Sequence, residues 1–213
     1  MYFKLSDYNI VMPNKLQKDD VSIAILAGGK SSRMGGNDKG LIYFYGKSVV
    51  SRLIGLAQDF SSDIFIIANN NLDKYNQIHP SVYTDILDGF QGPLSGIYTA
   101  MSKSKHKYLI ILPCDGPFIT KQYFEALSTH DSNKDILVIR TGDRLQPVYA
   151  RIKTSLVKKL EKFLQSGERK IDKWYNSCEF EEICFEEDMI MFSNINSEDD
   201  IKKNKKLIKK IYG

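Results

Sequence analysis

Short, mainly apolar runs alternate with amphipathic stretches along most of this chain, and each run stops at a polar or glycine-containing turn. Apolar residues at helical spacing predict helices over Lys47–Phe60 and from Pro93 to Met101. Strands are predicted at four mainly apolar runs: Ile23–Ala27, Asp63–Ala68, Tyr108–Leu112 and Asp135–Arg140. This alternation, with short connections, predicts a single-domain, Rossmann-like α/β fold in which helices cover both faces of a mostly parallel sheet.

The last third of the chain is less regular. The spacing of Ser197 and Asp200 resembles a capping box, so the last helix is predicted to begin at Ser197. Thr120 is expected to cap a helix over Gln122–Ser128. The other predicted elements are a short strand at Val82–Thr84, a strand at Gln146–Ala150, helices at Thr154–Gln165 and Lys170–Tyr175, and a strand at Phe180–Phe185.

The size and composition of the chain are those of one globular domain. With 213 residues, of which 42% are hydrophobic, the chain can bury one substantial core. Residues 1–20 are polar and aperiodic, so we predict an N-terminal extension there and one domain over 21–213. No apolar run approaches the roughly 20 residues that a membrane helix needs. Residues 1–20 also lack the pattern of a signal peptide, so we expect a cytoplasmic protein with no membrane partner.

Charge and cysteine content exclude several classes of function. The formal net charge of +4 is modest, and many lysines lie in the last dozen residues, which gives no support for a nucleic-acid partner. Three cysteines without C-x-x-C spacing indicate neither a disulfide framework nor a structural zinc site. No motif ties a histidine to a serine or cysteine nucleophile; His79, His106 and His130 are expected at the surface.

The segment Val21–Leu41 carries the strongest chemical signal in the sequence. A predicted strand leads into a glycine-rich loop that also contains lysine and arginine. Glycines let backbone N–H groups approach a ligand closely, and the cationic side chains attract phosphates. The spacing fits neither a Walker A loop nor a Rossmann fingerprint. The segment therefore predicts a different kind of polyphosphate-binding loop.

Three motifs resemble those of the molybdenum cofactor guanylyltransferases, which belong to the nucleotidyltransferase superfamily. The first is L-A-G-G-x-x-x-R-M-G-G-x-D-K, from Leu26 to Lys39. The second begins at Asp85 and continues into G-P-L-x-G. The third is P-C-D-x-P, around Asp115. The resemblance runs from about Val21 to the last helix and is most specific in the first two thirds of the chain.

The predicted fold brings these three motifs to one edge of the sheet. In open parallel sheets, ligands bind beyond the carboxyl ends of the strands, where each motif lies. Asp115 follows a buried strand between two prolines, and a carboxylate there can hold Mg²⁺ against NTP phosphates. A turn cap would also explain a lone aspartate, but the match to the family favours the metal.

The resemblance implies roles for individual residues. Arg33, Lys39 and Asp115 would be catalytic, and Asp115 would bind Mg²⁺. GTP would be bound by Leu26, Ala27, Gly28, Gly29, Lys39, Asp85 and Asp115. Candidate substrate contacts are Gln146, Pro147, Asn194 and Asn196, although a polar strand end and a helix cap explain these four equally well. Many relatives carry a nucleotide-contacting Asn where this chain has Ile67, and Asn69 follows two residues later.

The implied activity is transfer of GMP from GTP to the phosphate of molybdopterin, with release of pyrophosphate. Cytidylyl transfer to the same pterin, or nucleotidyl transfer to a sugar phosphate, would use the same scaffold. A non-catalytic protein that delivers the pterin is a further alternative. The presence of both Lys39 and Asp115 argues against it. We expect a monomer whose partners are GTP, molybdopterin and molybdoenzymes or their chaperones.

Overall fold

The computed structural model describes residues 15–27, 38–87, 92–185 and 189–213. Within these ranges, the strands form one seven-stranded sheet and one two-stranded hairpin. In chain order the strands are β1 (Val21–Leu26), β2 (Tyr43–Phe44), β3 (Lys47–Ser48), β4 (Asp63–Ile67), β5 (Val82–Tyr83), β6 (Tyr108–Pro113), β7 (Ile136–Thr141), β8 (Arg144–Lys153) and β9 (Phe180–Cys184).

The helices connect these strands and close the chain. They are α1 (Val49–Ala57), α2 (Leu72–Ile78), α3 (Pro93–Lys103), α4 (Lys121–Thr129), α5 (Val157–Gln165), α6 (Ile171–Asn176), α7 (Glu198–Lys203) and α8 (Lys205–Tyr212). Short 3-10 turns lie at Lys18–Asp20, Lys39–Leu41, Thr154–Leu156 and Met189–Phe192. None of the helices described is long and apolar enough to cross a bilayer.

The large sheet has the strand order β5-β4-β1-β6-β8-β7-β9, and only β8 runs antiparallel to its neighbours. Side chains alternate between the two faces of a strand, so the sheet carries two cores. Ile23 and Ile25 of β1 pack into one core with α1, α4 and α8. Ala24 and Leu26 pack into the other core with α3, α5 and α6. The predicted fold class, a mostly parallel sheet with helices on both faces, is confirmed.

The structure corrects several predicted element boundaries. The helix predicted over Lys47–Phe60 begins at Val49, because Ser48 is its N-cap and accepts a hydrogen bond from the backbone N–H of Ser51. Thr120 occupies the N-cap position of α4, as predicted, but its side chain makes no capping hydrogen bond. Three further differences concern extent: β8 is longer than Gln146–Ala150, Thr154–Leu156 is a 3-10 turn, and the last helix divides at Asn204.

The antiparallel strand β8 explains how a late part of the sequence reaches the edge that carries the motifs. Its register pairs Tyr108 with Lys153 and Ile111 with Ala150, so β8 starts where β6 ends. A hairpin with β7 precedes this start and pairs Thr141 with Arg144. The beginning of β8 therefore lies at the carboxyl edge of the parallel strands.

Part of the predicted N-terminal extension packs against the rest of the chain. The backbone N–H of Leu16 donates to the carbonyl of Ser128, and the Lys18 ammonium donates to the carbonyl of Gln58. Ser62 donates its hydroxyl hydrogen to the Asp19 carboxylate. Residues 15–20 thus cover the ends of α1 and α4. The division between extension and domain at residue 20 stays a prediction.

Replacing Ser197 with Ala is expected to lower the free energy of unfolding by about 1 kcal/mol, the usual cost of losing an N-cap hydroxyl. The Ser197 hydroxyl accepts the backbone N–H of Asp200 at 3.2 Å and donates to the Asp200 carboxylate at 2.9 Å. Urea denaturation measures the change, with Ser193→Ala as a matched loss of a hydroxyl four residues earlier. Equal effects of the two substitutions would contradict the capping role.

Candidate active site

Backbone hydrogen bonds continue past the ends of three strands and bring the motifs together. The N–H of Ala27 donates to the carbonyl of Ile67 at 2.8 Å, and the N–H of Cys114 donates to the carbonyl of Leu26 at 3.0 Å. Leu26 and Ala27 therefore lie between the ends of β4 and β6. The backbone thus brings the first and third motifs together at one edge of the sheet, as predicted.

Lys39 is the point at which the first motif meets the third. Its ammonium lies 3.2 Å from Oδ2 of Asp115 and 2.5 Å from Oδ1 of Asn196. The Lys39 and Asp115 side chains are 24% and 22% exposed, so both remain open to a ligand from solvent. Residues separated by as many as 157 positions are thus gathered around one cation.

Hydrogen bonds to the Asp38 side chain fix the turn from which the Lys39 side chain extends. The Asp38 carboxylate accepts hydrogen bonds from the N–H of Gly40 at 3.1 Å and from the buried hydroxyl of Tyr75 at 2.6 Å. The Asn71 amide also donates to it. A Cβ on Gly40 would lie 2.6 Å from the Tyr75 hydroxyl, so only glycine fits here. Sequence reasoning missed both α2 and its Tyr75, and thereby this anchor of the loop.

The turn that carries Asp115 is held from several sides. The carbonyl of Asp115 accepts the N–H of Ile195 at 3.0 Å. Two groups donate to the carbonyl of Pro117, the Arg52 guanidinium and the Tyr212 hydroxyl, each at 3.1 Å. Burial raises the pKa of Tyr212 to about 12, so this hydroxyl stays a donor at neutral pH. The position of Asp115 therefore depends on the last helix of the structure.

Asp85, from the second motif, is held by Asn69. The Asn69 amide donates to Oδ2 of Asp85 at 2.9 Å, and its oxygen accepts the N–H of Asp85 at 3.0 Å. Oδ1 of Asp85 is buried, and no residue within the described ranges gives it a hydrogen bond. Ile67, at the position where the resemblance implies a nucleotide-contacting Asn in many relatives, is buried and apolar.

The four candidate substrate contacts differ in their surroundings. Asn196 lies in the site through its bond to Lys39, whereas Asn194 is exposed two residues earlier. The Gln146 amide donates to the Thr141 hydroxyl, and the carbonyl of Pro147 accepts the Tyr175 hydroxyl. Gln146 and Pro147 therefore lie at the start of β8 but already have protein partners. Gly28, Gly29 and Arg33, predicted from the first motif, lie outside the described residues.

The thiol beside Asp115 is unsuited to nucleophilic attack. Burial raises the pKa of Cys114 far above its usual range, and the nearby Asp115 carboxylate raises it further. Cys114 is buried in the core, where it packs against apolar side chains. Because the thiolate is the nucleophilic form, the raised pKa of Cys114 argues against covalent catalysis by this residue.

The donor set of this site fits a cation that shares its ligands with a substrate. Within the described ranges, no three His, Cys, Asp or Glu side chains cluster closely enough to hold a metal ion by themselves. Mg²⁺ usually binds through one or two carboxylates, with phosphate oxygens and waters as the remaining ligands. The partly exposed Asp115 carboxylate is a group of this kind.

Comparison with known proteins identifies the family. The MobA-like NTP transferase domain matches residues 23–179. A molybdenum cofactor guanylyltransferase from Photobacterium profundum is 35% identical over 87% of this chain and 95% of its own length. Another protein of that name, from Ectopseudomonas mendocina, is 36% identical over 73% of this chain and 77% of its own length.

Solved structures agree with the fold. A molybdopterin-guanine dinucleotide biosynthesis protein A from Archaeoglobus fulgidus superimposes with a TM-score of 0.74 at 22% identity, over 89% of this chain and 99% of that one. A protein from Aquifex aeolicus gives a TM-score of 0.71 at 24% identity, over 84% and 95% of the two chains. The resemblance read from the three motifs is thereby confirmed. The chain belongs to the family defined by the MobA-like NTP transferase domain.

Proposed function

We propose that this protein transfers GMP from GTP to the terminal phosphate of molybdopterin and releases pyrophosphate. Relatives at 35% and 36% identity are named molybdenum cofactor guanylyltransferases, and their matches cover most of this chain. The names of these relatives support guanylyl transfer in molybdenum cofactor synthesis. The residues gathered around Lys39 support the charge stabilisation that any nucleotidyl transfer needs.

The observation that carries the proposal is the meeting of an ammonium, a carboxylate and an amide at the carboxyl edge of the sheet. Lys39 lies within hydrogen-bonding distance of both Asp115 and Asn196. An ammonium stabilises the charge that develops on a triphosphate as pyrophosphate leaves. When GTP enters, the phosphates compete with the Asp115 carboxylate for the Lys39 ammonium.

We propose that Asp115 holds Mg²⁺ together with the phosphates of GTP. Bound there, Mg²⁺ would supply positive charge that neutralises the phosphate oxygens. With the cation held by the Asp115 carboxylate, the Lys39 ammonium would be available to the phosphates. Arg33 is proposed as a second cationic group, and Leu26, Ala27, Gly28 and Gly29 as backbone contacts to GTP.

The reaction needs positioning and charge stabilisation more than a reactive side chain. The molybdopterin phosphate is itself a nucleophile, so the protein need not form a covalent intermediate. This agrees with the raised pKa of the Cys114 thiol. The amide of Asn196 contacts the Lys39 ammonium, and the start of β8 lies at the same edge of the sheet, so we propose that the acceptor binds on this side.

The remaining features of the proposal concern partners and location. GTP and molybdopterin are the proposed small-molecule substrates, and a molybdoenzyme or its chaperone is the proposed recipient of the product. We propose that the protein acts in the cytoplasm as a monomer. No role in binding nucleic acid or membranes is proposed.

Pyrophosphate release with Mg²⁺, molybdopterin and each NTP in turn tests the proposed function. We expect turnover with GTP, and much less with CTP, ATP or UTP. Omission of molybdopterin should abolish pyrophosphate release, because its phosphate is the acceptor. Preference for CTP would contradict guanylyl transfer alone. Nucleotide binding without turnover of any NTP would contradict the enzymatic proposal and favour a delivery protein.

A further inference from the structure

We propose that Asn69 is a positioning residue that fixes the Asp85 carboxylate, so that Oδ1 of Asp85 accepts a hydrogen bond from the nucleoside of the bound NTP. The inference rests on the proposed function in one respect, that an NTP binds at this sheet edge. It assigns Asn69 an indirect role in place of a direct contact with the nucleotide.

Both polar atoms of the Asn69 side chain are directed at Asp85. The amide oxygen accepts the backbone N–H of Asp85 at 3.0 Å, and Nδ2 donates to Oδ2 at 2.9 Å. This pair of bonds fixes the backbone of Asp85 and the rotation of its carboxylate together. Asn69 follows β4 and Asp85 follows β5, so the bonds also join two neighbouring strand ends.

The other carboxylate oxygen is left buried without a donor. Oδ1 of Asp85 has no hydrogen-bond partner among the residues that the structure describes. A polar atom in such surroundings is costly unless it is paired, so a ligand that supplies an N–H or O–H donor gains affinity there. Nucleosides carry such donors on the base and on the ribose. The orphaned oxygen is therefore the acceptor that a nucleoside would use.

The surroundings of Oδ1 connect it with the phosphate-binding loop. A Cβ placed on Gly96 would lie 3.7 Å from Oδ1 of Asp85, 3.7 Å from Cδ2 of Leu26 and 3.8 Å from Cγ2 of Ile67. Leu26 is the last residue of β1, from which the glycine-rich loop departs. Ile67 is apolar and offers no hydrogen bond. Asp85 is therefore the residue that would recognise a polar group of the nucleoside here, and Asn69 would fix the orientation of the Asp85 carboxylate.

Calorimetric titration with GTP and steady-state kinetics test this role in the full chain. For Asn69→Ala, we expect the Kd and KM for GTP to rise about tenfold, as for loss of one hydrogen bond to a charged group. The kcat should change little, because Lys39 and Asp115 are untouched. Asn69→Asp should raise both constants further, since a second carboxylate would face Asp85.

Asn70 provides matched controls, because it is the next residue in the same turn and is exposed. Asn70→Ala and Asn70→Asp, which repeat the same changes in chemistry and charge, should leave GTP affinity unchanged. In the background of Asp85→Asn, Asn69→Ala should cause no further rise in Kd, because both changes act on one interaction. If Asn69→Ala lowered both kcat and the thermal stability while KM stayed constant, the role of Asn69 would be purely structural.

The outcomes separate this inference from the proposed function. Unchanged GTP affinity in Asn69→Ala, or additive effects of Asn69→Ala and Asp85→Asn, would overturn the positioning role. If the wild type binds GTP but releases no pyrophosphate, the proposed function fails while the calorimetric comparison still decides about Asn69. If the wild type binds no GTP, both proposals are contradicted.

Discussion

Replacing Asp115 with Asn is expected to reduce Mg²⁺-dependent pyrophosphate release by about a hundredfold or more, the scale on which removal of one preorganised electrostatic group acts. The amide has nearly the shape of the carboxylate but lacks the charge that pairs with Lys39 at 3.2 Å and that is proposed to hold Mg²⁺. The carbonyl of residue 115 keeps its bond to Ile195, so the turn should remain folded.

Initial rates with GTP, molybdopterin and a series of Mg²⁺ concentrations measure this effect. Asp131→Asn is the matched control: Asp131 is exposed and precedes β7, so it lies at the opposite edge of the sheet. Circular dichroism should show the same thermal transition for both variants and the wild type within a few degrees. Turnover of Asp115→Asn close to that of Asp131→Asn would contradict the assigned role.

Replacing Gly116 with Ala is expected to destabilise the fold by roughly 1–3 kcal/mol, the usual cost of forcing extra volume into a packed core. The new Cβ would lie 2.1 Å from the Tyr149 hydroxyl oxygen. Tyr149 cannot move aside easily, because it is 1% exposed and packs edge-on against Tyr123 and Phe192. Urea denaturation with a two-state fit measures the loss.

The matching change, Tyr149→Phe, should relieve this conflict. The Tyr149 hydroxyl is buried without a hydrogen-bond partner among the described residues, so its removal alone should leave stability unchanged or raise it. In that background Gly116→Ala should cost under about 1 kcal/mol, since the nearest atom would then be the ring carbon at 3.3 Å. Equal costs in the two backgrounds would show that the hydroxyl is not the obstacle.

The sequence was sufficient for the parts of the site that depend on strand ends. Strongly apolar runs such as Ile23–Ala27 can be recognised without tertiary information, and parallel strands necessarily end at one edge. The meeting of Lys39 with Asp115 could be anticipated in this way. Asn196 was identified only as a candidate contact, because its approach to Lys39 depends on the path of a long connection.

The supporting residues could not be predicted from local pattern. Helix α2 has only seven residues and buries only Tyr75, so it shows almost no apolar periodicity. Its N-cap Asn71 follows two other asparagines, and such a run also favours a turn. The Tyr75 bond to Asp38 follows from where α2 packs. Likewise, the bond between Asn69 and Asp85 depends on the pairing of β4 with β5, which spacing alone does not specify.

The contacts of Ile195 and Tyr212 with the Asp115 turn have a consequence for folding. The Tyr212 bond to Pro117 spans 95 positions, and the Asn196 bond to Lys39 spans 157. The pairing of β1 with β6 is nearly as distant in sequence, with Val21 opposite Tyr108, so loop closure alone does not order these events. The Asp115 turn needs residues 195–212 in addition to the sheet, and we expect hydrogen exchange in this turn to be faster than in β1 and β6 whenever those C-terminal residues detach.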